Sequence, residues 1–274
     1  MLEISRSAYY DWLIRPPSQR SVKDKAILRD IVSLHQKYPA LGLDMLHQMV
    51  RSKHGCGRER VRRLMKQAKI QSVRKRAYRC TTNSKHSHPI APNLLMRNFV
   101  CNKPNRVWVG DITYVPTGEG WLYVAVIKDL CLKKVVGYAF SNRIDTALCL
   151  SALEMAVRRQ KPAKGCVFHS DRGVQYASIA YRNALKQFGM VQSMSRKGDP
   201  YDNAVAENFF SCLKCECVHL KHFVSRISAE CEIFRYIEGF YNTIRPHSGI
   251  GWMTPAEYES FLYKTPLGFV LLSG

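Results

Sequence analysis

Apolar residues recur at helical spacing through the first quarter of this chain. Ile27, Ile31 and Leu34 form one stripe, Leu43, Leu46, Met49 and Val50 a second, and Val61, Leu64, Met65 and Ala68 a third. Residues three and four apart share a helix face, so each stripe predicts an amphipathic helix, and the three together predict a small helical unit. Pro39-Ala-Leu-Gly42 and His54-Gly-Cys-Gly57 separate the stripes with turn chemistry. A shorter aromatic helix is predicted at residues 5–15, where Tyr9, Tyr10 and Trp12 need a cover, and it stops at Pro16-Pro17.

From residue 106 the period shortens. Runs at 107–115, 121–128 and 134–141 are rich in β-branched and aromatic residues, with Gly118-Glu-Gly120 as a turn. A helix follows at 145–160, capped by Asp145. Next come a strand at 166–170, a helix at 178–188, a strand at 190–194, and helices at about 203–218 and 228–242. Three consecutive strands followed by alternating helix and strand predict an α/β class. The expected core is a mixed five-stranded sheet with flanking helices, in an order that fits an RNase H-like fold. A small all-α, helix-turn-helix-like domain precedes it. Residues 73–105 sustain no period and carry Arg74, Lys75, Arg76, Arg79 and Lys85 among polar residues, as a basic linker would. The domain reading is therefore a short aromatic helix at 1–20, a helical domain at 21–72, the linker at 73–105, the core at 106–262 and a tail at 263–274. No internal repeat is visible.

Charge sharpens this picture. Lys and Arg number 42 against 21 acids, a net charge of +21, which argues for a polyanionic partner. At 46% hydrophobic the chain can fill a core, unlike a disordered basic tail. No run approaches the ~20 apolar residues of a membrane span, and Met-Leu-Glu-Ile-Ser-Arg-Ser lacks a signal core. Ten cysteines without paired-finger spacing read as reduced cytoplasmic thiols. The third predicted helix carries Arg58, Arg60, Arg62, Arg63 and Lys66 after a glycine turn, the form of a DNA-recognition helix. The alternative for these five is a solvated basic face.

Three carboxylates lie in contexts that packing does not explain. Asp111 interrupts Val-Trp-Val-Gly-Asp-Ile-Thr-Tyr-Val, Asp171 ends Cys-Val-Phe-His-Ser-Asp, and Glu207 opens the helix beginning near 203. A carboxylate buried in a strand needs a compensating cation. On so basic a chain, a divalent metal site acting on nucleic acid is the simplest account. Two-metal nucleotidyl transfer requires carboxylates converging on ions ~3.5–4 Å apart. Magnesium keeps several waters, so few protein ligands suffice. Lys214 lies seven residues after Glu207, nearly two helical turns, and so shares its side while Phe209 and Leu213 face the core. There it can reach a DNA phosphate, the alternative being an ordinary exposed lysine.

Other polar residues have simpler readings. Cys212, Cys215 and His219 share a helix face, but structural zinc sites draw four ligands from turns as well as helices, so core thiols fit better. His169 is expected to orient Asp171 or pack at a strand end. Asp129 should cap a turn, Asp199 and Asp202 should be loop and N-cap residues, and Trp108 should be a core aromatic.

The motifs, taken in order, resemble those of DDE-type insertion-sequence transposases with a retroviral-integrase-like core, and more narrowly the downstream-frame (OrfB) product of the IS-three family. The segments are Trp108-Val-Gly-Asp-Ile-Thr-Tyr114, His169-Ser-Asp-Arg-Gly-Val-Gln-Tyr176, Asp199-Pro-Tyr-Asp-Asn-Ala-Val-Ala-Glu-Asn-Phe-Phe210, Tyr241-Asn-Thr-Ile-Arg-Pro-His247 and Thr254-Pro-Ala-Glu257. Asp171 and Glu207 are separated by 207 − 171 − 1 = 35 residues. The resemblance implies metal-dependent cleavage at element ends and joining of the freed 3′-OH to another strand. It implies Asp111, Asp171 and Glu207 as catalytic and metal-binding residues, a basic residue at 214, and two Mg2+ (or Mn2+) ions. Expected partners are double-stranded DNA of element ends and target, an upstream-frame (OrfA) product or fusion, and further copies of the chain on DNA. No membrane is implied, and the location would be cytoplasmic and nucleoid-associated. One departure is Gly42-Leu-Asp-Met, which lacks the family's usual Gly-x-Arg. A second is that no upstream helix-turn-helix and leucine-zipper module is present, so a chain normally joined to one is expected. The rival readings are a catalytically silent DNA-binding regulator and a ribonuclease of the same fold. The intact triad, Lys214, the basic helical domain and segment 241–247 favour DNA transfer.

Overall fold

The computed structural model describes residues 5–73, 89–196, 202 and 204–264, in two compact units divided after Val73. In the first, α1 (Arg6–Ile14) is capped by Ser5, whose hydroxyl accepts from the Ala8 amide. It buries none of its residues, so Tyr9, Tyr10 and Trp12 stay exposed. Helices α2 (Gln19–Lys37), α3 (Leu43–His54) and α4 (Arg58–Gln67) close over Ile27, Ile31, Leu46, Val50, Val61 and Leu64, all from the predicted stripes. Gly55 ends α3 at φ 58°, a left-handed conformation that costs a glycine little. His47 Nε2 donates to the Cys56 carbonyl at 3.1 Å and fixes the turn into α4.

The second unit is a five-stranded sheet of order β3-β2-β1-β4-β5. Strands β1 (Val107–Thr117), β2 (Gly120–Asp129) and β3 (Val135–Ser141) form the antiparallel meander. Strands β4 (Val167–Ser170) and β5 (Val191–Met194) extend it in parallel with β1. The mixed, RNase H-like sheet with flanking helices is thus present. Trp108 packs with Ile127, Leu153, Phe168 and Tyr181, beneath α5 (Thr146–Gln160), α6 (Val174–Ala177) and α7 (Ile179–Gln187). Its neighbour Val109 packs instead with Ala206 of α8 (Ala204–Glu216). That alternation is the period-2 signature of a strand covered on both faces. Two glycines allow the close packing. A side chain at Gly110 would run into the Phe168 ring, and one at Gly137 into the Ala152 carbonyl and Ala156 of α5.

The helix boundaries differ from expectation where local capping intervenes. The helix predicted at 178–188 is preceded by α6, and Ser178 restarts the chain by accepting from the Tyr181 amide. The helix expected from 228 begins at Arg226 as α9 (Arg226–Tyr236), behind a Ser225–Ser228 capping box, and continues as a π-helical turn, Ile237–Tyr241. An unpredicted α10 (Pro255–Lys264) starts at Thr254, which exchanges side-chain hydrogen bonds with Glu257. That capping box was legible in Thr-Pro-Ala-Glu. Among the described residues no helix is long and apolar enough to cross a membrane.

Candidate active site

Asp111 stands in the middle of β1, opposite Val126, and is half-buried. On the other side of β1, β4 pairs Val107 with Val167 and Val109 with His169, a constant offset of 60. The same offset carries 111 to 171. Asp171 therefore leaves the end of β4 at the level of Asp111 on the adjacent strand. Asp111 Oδ1 accepts from the Ile112 amide at 2.7 Å and Asp171 Oδ1 from the Gly173 amide at 2.9 Å. A Cβ at position 173 would lie 3.0 Å from that Asp171 oxygen, so glycine leaves the carboxylate room. The two charges act on the same buried ground. Cys149 is pushed up to about 12, first by burial and then by the charges of Asp171, Asp111 and Asp145. Tyr176 is raised by burial, and both aspartates add to it.

Helix α8 buries Ala206, Phe209, Phe210 and Leu213, which turns Glu207 outward in its first turn. Glu207 is exposed overall, but partial desolvation still raises its carboxyl. Lys214 is half-buried, with Nζ 5.1 Å from the Tyr114 ring centroid. Burial lowers its ammonium pKa, and the charge of Asp111 works the other way. Asp111, Asp171 and Lys214 thus come together electrostatically, and α8 carries Glu207 on the side of Lys214. Among the described residues no three Asp, Glu, His or Cys side chains are grouped closely enough to hold a metal ion. Asp111, Asp171 and Glu207 therefore form no closed cage. A set of oxygen donors alone fits Mg2+ or Mn2+ rather than a thiophilic metal.

The neighbouring polar residues hold the frame around these carboxylates. His169 is buried and packs at the strand end, the second of its expected readings. Its Nε2 donates to the Asp202 carbonyl at 2.9 Å and its Nδ1 meets Ser193 Oγ at 2.8 Å, so it ties β4 to β5 and to the approach to α8. Asp202 is no N-cap. It is buried and accepts from Asn93, Arg97 and Arg196, because a carboxylate at that depth requires cationic donors. Asp199 lies outside the described residues, as do Arg74, Lys75, Arg76, Arg79 and Lys85 of the linker. Asp129 does cap a turn, accepting from the Leu132 and Asn105 amides and from Trp108 Nε1. Trp108 is a core aromatic with no exposed surface. Cys212 Sγ accepts from Arg245 Nη2 at 3.3 Å. Sequence reasoning missed Tyr114, whose only signal was its place three residues after Asp111.

In the first unit the basic residues of α4 divide. Arg58 Nε binds Asp44 at 2.6 Å, while Arg60 and Arg63 both hold Asp24 of α2, at 2.7 and 2.5 Å. Hydrogen bonds from Arg63 and then Arg60 keep the Asp24 carboxyl below its ordinary range. Arg62 makes a long contact with Glu59, and Lys66 is exposed. Gln19, Arg20, Lys23, Glu59, Arg60 and Arg63 line a cleft of about 530 Å³ between α2 and α4.

Comparison with known proteins decides the family. Integrase core domain profiles match residues 102–200 and 189–255, and an HTH-like domain profile matches 22–78. The chain is 42% identical to the 31 kDa protein of insertion element IS600 from Shigella sonnei, over 93% of its own length and 95% of that protein's. It is 35% identical to transposase InsF for insertion sequence IS3A from Escherichia coli (strain K12), over 95% and 92% of the two chains. The chain belongs to the IS3-type insertion-sequence transposases. The transposase is accordingly a DDE-type polynucleotidyl transferase of DNA transposition, with an integrase core and an HTH-like domain. Its fold is also similar to that of a chain in the simian T-cell lymphotropic virus intasome, at TM-score 0.51 and 15% identity over 89% of this chain and 78% of that one.

Proposed function

We propose that the transposase cuts the ends of its element and joins the freed 3′-OH to target DNA through Asp111, Asp171 and Glu207, acting as ligands of two Mg2+ or Mn2+ ions. The observation that supports this reading is the parallel β1–β4 ladder, whose offset, continued past its last pair Val109–His169, brings Asp171 beyond the end of β4 toward Asp111, with α8 carrying Glu207 and Lys214 on one side. When bound, such ions supply Lewis acidity to the attacking and leaving oxygens. The chain's own residues do the rest. Asp111 offers carboxylate oxygens from within β1, Asp171 from just beyond the end of β4, and Glu207 from α8. Lys214 holds a phosphate close to Asp111, where half-burial strengthens its pull.

Arg62 and Lys66 contact element-end DNA from α4. Arg58, Arg60 and Arg63 contribute to the basic surface while braced by Asp44 and Asp24. The proposed partners are an upstream-frame (OrfA) product or fusion and further copies of the chain on DNA, in a nucleoid-associated protein. The test pairs end cleavage with gel-shift affinity across Mg2+ and Mn2+ titrations. Asp111→Asn, Asp171→Asn and Glu207→Gln should each lose cleavage and joining yet keep DNA binding, which rests on dispersed phosphate contacts. Near wild-type cleavage by one variant removes that residue from the site. A wild-type protein that binds ends but never cleaves them would favour the silent regulator.

A further inference from the structure

Segment 241–247 has no task in the chemistry above, yet it is wired into two elements at once. Asn242 Oδ1 accepts from the Val135 amide and its Nδ2 donates to the Val135 carbonyl, both at 3.0 Å, which pins the segment to the start of β3. Arg245 is 6% exposed and reaches α8. Its Nε donates to Glu216 Oε2 and its Nη2 to Glu216 Oε1, each at 2.8 Å, as a two-pronged fork. The Tyr236 hydroxyl donates to the same Oε2 at 2.8 Å. The guanidinium lies 5.6 Å from the Tyr241 ring centroid, and Nη2 also meets Cys212 of α8. The π-helical turn Ile237–Tyr241 carries the chain from Tyr236 into this segment. Such turns recur at functional sites.

Glu216 lies 216 − 207 = 9 residues beyond Glu207 on α8. At 100° per residue that is the opposite side of the helix. The rotation that turns Glu216 into the fork is therefore the one that presents Glu207 and Lys214 outward. Ala206, Phe209 and Leu213 also hold this side, but apolar contact has little direction. Turning α8 by roughly 20° would carry a carboxylate ~5.5 Å from the axis through about 2 Å. Misplacement by ~1 Å can cost on the order of a hundredfold in rate. A buried ion pair is often no more stabilising than apolar residues of equal volume, so what it adds here is direction.

We propose that Arg245 and Glu216 are positioning residues which set the rotation of α8, and through it the places of Glu207 and Lys214 relative to Asp111. The inference rests on Glu207 being a metal ligand. The test uses the full-length protein at a temperature where melting curves show every variant folded. Mn2+ binding is followed by electron paramagnetic resonance, alongside single-turnover end cleavage and gel shift. Arg245→Lys keeps the charge and loses the fork. It should weaken Mn2+ binding about tenfold and slow cleavage ten- to a hundredfold, the range for groups that orient metal ligands, with DNA affinity unchanged. Tyr236→Phe removes one hydrogen bond to Glu216 and should show a smaller loss of the same kind. If Arg245→Lys melts earlier but binds Mn2+ and cleaves like the wild type, the pair is only structural and the proposal is overturned. Should Arg245→Lys not fold, wild-type Mn2+ binding and cleavage by Tyr236→Phe overturns it equally. Glu207→Gln separates the two failures. If it leaves Mn2+ binding intact, the role given to Glu207 falls and takes the inference with it. If it weakens binding while Arg245→Lys does not, the positioning role alone falls.

Discussion

Two sets of three carboxylates in the sheet unit are alike in sequence and opposite in setting. Asp129, Asp202 and Glu216 are buried or nearly so, and each takes donors from distant parts of the chain. These are the Asn105 and Leu132 amides with the Trp108 indole, Arg97 and Arg196 with Asn93, and Arg245 with Tyr236. Asp111, Asp171 and Glu207 are half-buried or exposed. The two aspartates take backbone amides one and two residues along the chain, and Glu207 has no hydrogen bond or ion pair among the described residues. The first set holds segments together through its donors, although burial still raises the Asp129 carboxyl despite its hydrogen bonds. The second is the set proposed above as metal ligands. A carboxylate in a strand is therefore no sign of a metal site until its donors are known.

The comparison breaks most sharply at exchanged variants. Asp111→Asn should abolish cleavage while costing less stability than Asp129→Asn. Asp129→Asn should do the reverse. It turns an NH2 group toward the Asn105 amide and Trp108 Nε1, and should cost about 1–3 kcal/mol in urea denaturation, with normal cleavage by the folded fraction. If Asp129→Asn is as stable as the wild type, the division between the two sets fails.

Lys214 tests the open set from the cationic side. Lys214→Ala should slow strand transfer on the order of a hundredfold by misplacing the reacting strand, while the salt slope of binding falls by only about 1. Equal loss of rate and affinity would make it one more backbone contact. In the helical unit, Arg62→Ala with Lys66→Ala should lower the salt slope by about 2 without loss of stability. Arg60→Ala gives up its contact with Asp24 and should lower the melting temperature as well. Unchanged melting of Arg60→Ala would return it to the pure DNA contacts.

The last effect concerns pH alone, through Lys128, buried beside Arg245. Burial lowers its ammonium from 10.5 to about 7, and the charge of Lys133 adds to this. Between about 7 and 10.5 the unfolded chain holds a proton that the folded one has lost. Stability therefore rises with pH there, by up to ~1.4 kcal/mol per unit for one group. Cys131, Cys149 and Cys166, pushed up to about 12, oppose the rise once unfolded thiols ionise near pH 8.5. The window is thus pH 7 to 8.5. Lys128→Met should flatten the rise in melting temperature across it, and an unaltered slope would place the titration elsewhere.

The chain's local pattern determined a good deal by itself. The apolar stripes of α2 to α4, the β-branched runs of β1 to β3 and the Asp145 cap are near-neighbour effects, so period and propensity reported them. Asp111, Asp171 and Glu207 were legible as candidates because each interrupts or opens an element without a packing reason. Only the tertiary structure decided which other acids were already satisfied. Asp202 meets Arg97 from 105 residues away, and Glu216 meets Arg245 across a π-helical turn. It likewise tied Arg60 and Arg63 to Asp24, where the sequence showed only a basic helix face. Charge pairing depends on distance through space. A one-dimensional pattern shows that a charge exists, but its partner is chosen when the sheet and helices close.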